Sequence, residues 1–190
     1  MKRLFCALKV RPTEAVREVL ADFRETMAGE RIKWVHPENL HITLKFFGDT
    51  PGHKEPAIVE ALEQAAAAAT PFHFQLKGCG TFGNPRMPRV IWLGINQGAG
   101  LKNVYHKVNR ALEPLGHLPD KKLFVPHLTV GRIKHLTETE TLRGLIEEYR
   151  DTVFGNVPVG EFFLFQSTLR PEGPEYRVLK SFRMVTGDSY

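Results

Sequence analysis

At 190 residues the chain is long enough for one domain, or for two short interlocked lobes, and too short for a long multidomain protein. Hydrophobic residues at 42% and charged residues at 25% exclude a disordered chain and supply a core that needs no disulfide or structural metal. The net charge of +5 favours anionic partners, whether phosphates, nucleic acid or acidic membranes, without choosing among them.

The basic opening Met1-Lys2-Arg3 is followed by an apolar stretch that stops at Lys9, too short for a secretory leader or a membrane span. Residues 3–10 predict a strand, and residues 12–28 a helix, with Val16, Val19, Leu20, Phe23 and Met27 on one stripe and Gly29 at its end. Two strands follow, 32–35 and 40–48, separated by the turn His36-Pro37-Glu38-Asn39. A second helix is predicted over 54–69, where the alanine run 65–69 suits close helix packing. Strands 72–77 and 89–95 flank a Gly/Pro-rich loop, and a third helix covers 100–115 before Gly116. The remaining elements are a strand at 124–133, a helix at 139–149, and strands at 161–168 and 176–185 joined by the turn Arg170-Pro171-Glu172-Gly173-Pro174. Without a regular strand-helix-strand alternation, this mixture reads as α+β with largely antiparallel sheets.

Cys6 and Cys79 belong to no CxxC pair and read as small buried apolar residues in strands. That fits a reducing, cytoplasmic compartment, with one disulfide left open. Residues 78–83 spell Gly-x-Gly-x-x-Gly after a strand, but Asn84, Pro85 and Pro88 cannot open the helix that dinucleotide binding requires, so a flexible loop is the better reading. No Cys/His metal cluster, phosphate-binding loop or nucleophile elbow is present in the sequence.

One short pattern occurs twice: Leu40-His41-Ile42-Thr43-Leu44 and Pro126-His127-Leu128-Thr129-Val130. In a strand, residues two apart share a face, so each copy offers an imidazole and a hydroxyl side by side, with an apolar back for the core. A histidine in a strand is more often a satisfied core residue than a catalytic one, but two copies could serve one site if their strands meet at a cleft. Opening a phosphodiester needs a general base on water, a general acid on the departing oxygen and donors on the phosphoryl oxygens. Two imidazoles, which titrate near neutrality, and two hydroxyls supply that set.

These blocks resemble the two-histidine (2H) phosphoesterase superfamily, and within it the RNA 2′,3′-cyclic phosphodiesterases long called 2′-5′ RNA ligases. The similarity extends from the two motif blocks, residues 39–48 and 126–132, to the loop and strand 83–92 and the final hairpin around 166–169 and 173–176. It implies a single domain over 1–190, built of two pseudo-symmetric α+β lobes around a central cleft, with helices outside. It also implies metal-independent, cofactor-free opening of an RNA or nucleoside 2′,3′-cyclic phosphate to a 2′-phosphate, with 2′-5′ ligation as the reverse. Carried onto this chain, His41 is the general acid and His127 the general base, while Thr43 and Thr129 hold the non-bridging oxygens. The expected partner is RNA with a 2′,3′-cyclic phosphate end or a small cyclic nucleotide, with no membrane and no obligatory protein partner.

Arg132 is similar to the basic residue after the second motif, although five residues from His127 an ideal strand puts it on the opposite face. Either the strand ends or bulges near Gly131, or Arg132 reaches a flanking phosphate. Lys45 is in phase with His41 and Thr43. Phe47, Tyr176 and Phe124 are stacking candidates, with Phe46 the weakest because it is out of phase. Arg86, Arg89, Lys121, Lys122 and Lys134 form an expected basic rim. Two other readings stay open: a non-catalytic module that binds RNA ends, and the same scaffold acting on another ester such as a 2′-5′ oligoadenylate.

Overall fold

The computed structural model describes residues 1–119, 123–170 and 173–185. Its elements are β1 (Lys2–Lys9), α1 (Glu14–Thr26), β2 (Arg31–Trp34), β3 (His41–Thr50), α2 (Glu55–Ala67), β4 (Phe72–Asn84), β5 (Met87–Asn96), α3 (Ala99–Leu112), β6 (His127–His135), α4 (Thr139–Glu148), β7 (Val153–Val159), β8 (Glu161–Arg170) and β9 (Gly173–Arg183). Helix α1 begins one residue after Thr13, whose Oγ1 accepts from the Val16 amide at 3.2 Å and donates to the Phe154 carbonyl. The cap therefore satisfies the helix end and ties it to β7.

Every strand pairing is antiparallel. One sheet has the order β3-β1-β8-β9 and the other β2-β6-β5-β4-β7, so β3-β1-β8-β9 corresponds to β6-β5-β4-β7. The first sheet takes two strands from each end of the chain, which interlocks the halves. On the backs of the sheets, Phe74, Phe154, Phe162, Leu76 and Leu128 join the buried stripes of all four helices in one core. Each such Phe contributes roughly 1.5–3 kcal/mol by leaving water. A smaller cluster of Phe5, Ala7 and Phe165 lies apart, with Phe163 and Tyr176 packed against it. The expected α+β class with antiparallel sheets is what the chain adopts.

Two expectations are corrected. The loop predicted between residues 77 and 89 is a long hairpin: β4 runs to Asn84 and β5 starts at Met87. Its glycines are close-approach points, since a Cβ on Gly80 would sit 2.4 Å from the Trp92 ring. Strand β7 was not predicted at all, because Gly155 at φ +123° and Pro158 interrupt its alternation. Pro158 is tolerated there because β7 is an edge strand. In the predicted final turn, Pro171 and Glu172 lie outside the described residues.

Gly78 has φ +70°, and a Cβ would meet the Arg150 carbonyl oxygen at 2.4 Å. Gly78→Ala should therefore cost about 2 kcal/mol or more and lower Tm by several degrees. Gly144→Ala, inside α4 with nothing within 4 Å of its would-be Cβ, should raise Tm slightly. Thermal unfolding of the two variants checks the opposite signs.

Candidate active site

Each His-x-Thr strand is followed by a β-bulge, and the bulges decide which residues reach the cleft. In β6 the register passes from Trp92↔Thr129 to Ile91↔Gly131, leaving Val130 as the extra residue. Val130 keeps its pairing elsewhere, its carbonyl accepting from the Val35 amide at 2.9 Å. The extra residue shifts the alternation by one, so Arg132 joins His127 and Thr129 on the same face while Leu128, Val130 and Ile133 are buried. Of the alternatives for Arg132, the bulge is what the strand adopts.

In β3 the register passes from Ala7↔Thr43 to Cys6↔Lys45, leaving Leu44 extra. The same shift overturns the expectation for Lys45. Lys45 turns inward with Leu44 and is only 5% exposed, its Nζ donating to the Leu118 carbonyl, so it does not line the cleft. Phe46 takes the phase that alternation had given to Lys45, standing half exposed with the Arg3 guanidinium 5.3 Å from its ring centre. Phe46 thus occupies in β3 the place of Arg132 in β6. Phe47 is corrected too: a second bulge between Phe46 and Gly48 turns it to the core, edge-on to the His117 ring.

The cleft between the sheets has a volume of about 260 Å³ and brings together His41, Thr43, His127, Thr129, Arg132 and Tyr176. Phe124 and, from β2, Lys33 and Trp34 complete one wall. Lys33 and Trp34 were not singled out in the sequence; the signal that could have found Lys33 is its pairing directly opposite Arg132, which only the sheet order reveals. No Asp or Glu lines the cleft among the described residues, so its field is cationic. Arg86, Arg89 and Lys134 are exposed but none lines the cleft, and Lys121 and Lys122 lie outside the described residues.

The two imidazoles are held alike. His41 Nδ1 lies 2.6 Å from the Asn39 carbonyl and His127 Nδ1 lies 2.7 Å from the Val125 carbonyl, each two residues upstream. A carbonyl only accepts, so Nδ1 carries the proton in both rings and Nε2 is the atom left to give or take one. Aromatic rings fix the orientations. His41 sits between Phe5 at 5.1 Å and Tyr176 at 5.3 Å, while His127 stands edge-on to Phe82 at 4.7 Å. Burial lowers the His41 pKa from its ordinary value and Arg132 adds to this, against the raising effect of the Asn39 carbonyl. Burial raises the Tyr176 pKa, partly offset by Arg132, so its hydroxyl stays neutral and able to donate.

Two antiparallel lobes, each presenting one histidine and one threonine from the same spelling to a shared cleft, define a two-histidine phosphoesterase. A family model described as LigT like Phosphoesterase matches the chain twice in succession, over residues 8–92 and 93–176. A protein of Methanocaldococcus jannaschii named RNA 2′,3′-cyclic phosphodiesterase is 36% identical over 180 residues, 95% of this chain and 99% of that one. One of the same name from Archaeoglobus fulgidus is 36% identical over 181 residues, again 95% and 99%. Among solved structures, TT0787 of Thermus thermophilus superposes with a TM-score of 0.78 at 30% identity, covering 98% of this chain and all of the other. The chain belongs to the LigT-like phosphoesterase family.

Proposed function

We propose that this protein opens RNA or nucleoside 2′,3′-cyclic phosphates to 2′-phosphates, using His41 and His127 as an acid/base pair and no metal ion or cofactor. The observation that carries the reading is the matched pair of imidazoles in one cationic cleft, each with Nδ1 committed to a backbone carbonyl and Nε2 left for chemistry. The relatives named RNA 2′,3′-cyclic phosphodiesterase support the substrate class. His127 takes a proton from water as that water attacks phosphorus, and His41 gives one to the departing 3′ oxygen. Thr43 and Thr129 donate to the non-bridging oxygens, and Arg132 and Tyr176 contact the nucleotide. The whole chain works as one unit on this reading, because each lobe holds half of the pair. A cytoplasmic setting is supported by two buried thiols that stand free, and no helix among the described residues is long and apolar enough to cross a membrane.

The lowered His41 pKa gives the reading a pH signature. In the free protein His41 takes up its proton only at lower pH than an ordinary imidazole, so its limb in a kcat/KM profile should lie below about 6.5. An anionic phosphodiester beside the ring favours the charged form, so the same limb should move upward in the kcat profile. Profiles of 2′,3′-cyclic AMP hydrolysis measure both. Absence of turnover would leave an RNA-end-binding module in its place, and coincident His41 limbs in the two profiles would remove His41 from the phosphate.

A further inference from the structure

Lys33 and Arg132 stand directly opposite each other on β2 and β6, so their side chains leave the sheet on one face, both exposed and both lining the cleft. Trp34 lies against Gly131 beside this pair, where a Cβ would come within 3.0 Å of its ring, a fit that a one-residue slip of register would break. Like charges facing each other across a strand pair are destabilising, and neither cation forms an ion pair among the described residues. Lys33 also reaches across the cleft: its Cε and Nζ lie 3.2 Å from where a Cβ on Gly173, at the start of β9 in the other sheet, would sit. Glu175 in that hairpin is paired with Arg170 at 3.2 Å and does not line the cleft.

We propose that Lys33, together with Arg132, holds the phosphoryl group on the 5′ side of the nucleotide that bears the cyclic phosphate, and so makes the enzyme select 5′-phosphorylated ends over free cyclic nucleosides. The inference rests on the reaction proposed above. Thr129 lies opposite Trp92 on β5 and Arg132 opposite Val90, so the cation pair begins about 7 Å along the cleft from a hydroxyl that this reaction places on the scissile phosphate. Neighbouring phosphates of a single strand are separated by a comparable step. A cyclic phosphate closes the 3′ end of its strand, so the one neighbour it has is the 5′ phosphate. That neighbour falls at the cation pair, where its charge relieves the repulsion between Lys33 and Arg132. Lys33 stands one strand farther from Thr129 than Arg132 does, and so meets the second phosphate alone.

The test compares kcat/KM for adenosine 2′,3′-cyclic phosphate, the same nucleotide carrying a 5′-monophosphate, and the diribonucleotide ApA closed by a 2′,3′-cyclic phosphate. Wild-type protein should turn over both 5′-phosphorylated substrates with about tenfold higher kcat/KM than the first. In Lys33→Ala that preference should fall about fivefold or more, and in Lys33→Arg, which keeps the charge, it should persist. The slope of log kcat/KM for the dinucleotide against log salt should become shallower by about 0.7 in Lys33→Ala, the loss of one single-strand phosphate contact. Lys33 is exposed, so its truncation leaves no cavity, and a ratio taken on one sample does not depend on the fraction folded. Equal kcat/KM on all substrates in the wild type, or equal loss on all of them in Lys33→Ala, overturns the subsite and leaves the hydrolytic reading intact. A preference confined to the dinucleotide and kept in Lys33→Ala assigns it to stacking of the second base and also overturns the subsite. No turnover of any substrate by the wild type refutes the underlying reading, and the subsite with it.

Discussion

His41→Ala and His127→Ala should each lower kcat for 2′,3′-cyclic AMP hydrolysis by about 10²- to 10⁴-fold, with KM changing far less. On the proposed mechanism each substitution removes the group that moves a proton in the transition state, whereas ground-state binding rests on the cleft's cations, hydroxyls and rings. The double variant should be little worse than the poorer single one, because acid and base act on one concerted step and removing either already forfeits it. Both rings are only partly buried and point into a cleft, so the folded state should survive, which thermal unfolding of the same samples verifies. Full activity in either single variant would contradict the mechanism.

Thr43→Val and Thr129→Val should each reduce kcat by about 10²- to 10³-fold, the range for removing one positioned donor from a developing oxyanion. Valine keeps the β-branched shape that a strand favours, so the change isolates the hydroxyl. Thr43 is exposed and Thr129 partly so, and neither loss opens a cavity in the core. If the hydroxyls only bound substrate, KM would rise with kcat unchanged; the account requires the opposite split. Steady-state kinetics on the four single variants, His and Thr alike, read all of this in one set.

The pattern of period two was enough to place His41, Thr43, His127 and Thr129, because each short stretch alternates cleanly and its apolar partners, Ile42 and Leu128, are buried. It failed one residue beyond each motif. A bulge adds a residue that has no signature of its own in the local sequence, and after it every side chain changes face. That is why Lys45 and Phe46 exchange places relative to expectation, and why Arg132 reaches the cleft despite an odd spacing. The hairpin at 72–96 was hidden for a related reason. Gly78, Gly80 and Gly83 look like loop residues, yet in β4 they admit Trp92 and the neighbouring backbone at distances that leave little or no room for a Cβ. Lys33 and Trp34 could not be assigned to the cleft from their own segment, since only the long-range pairing of β2 with β6 brings them there. Tyr176 was legible as an aromatic in the last hairpin, but its contact with His41 depends on β9 lying across from β3 in a four-stranded sheet.

The most direct measurement of the central claim is the product of 2′,3′-cyclic AMP turnover in excess EDTA. The account predicts undiminished activity and adenosine 2′-phosphate as product, since His41 protonates the 3′ oxygen and no metal takes part. Activity lost to EDTA and restored by a divalent ion, or adenosine 3′-phosphate as the product, would contradict it.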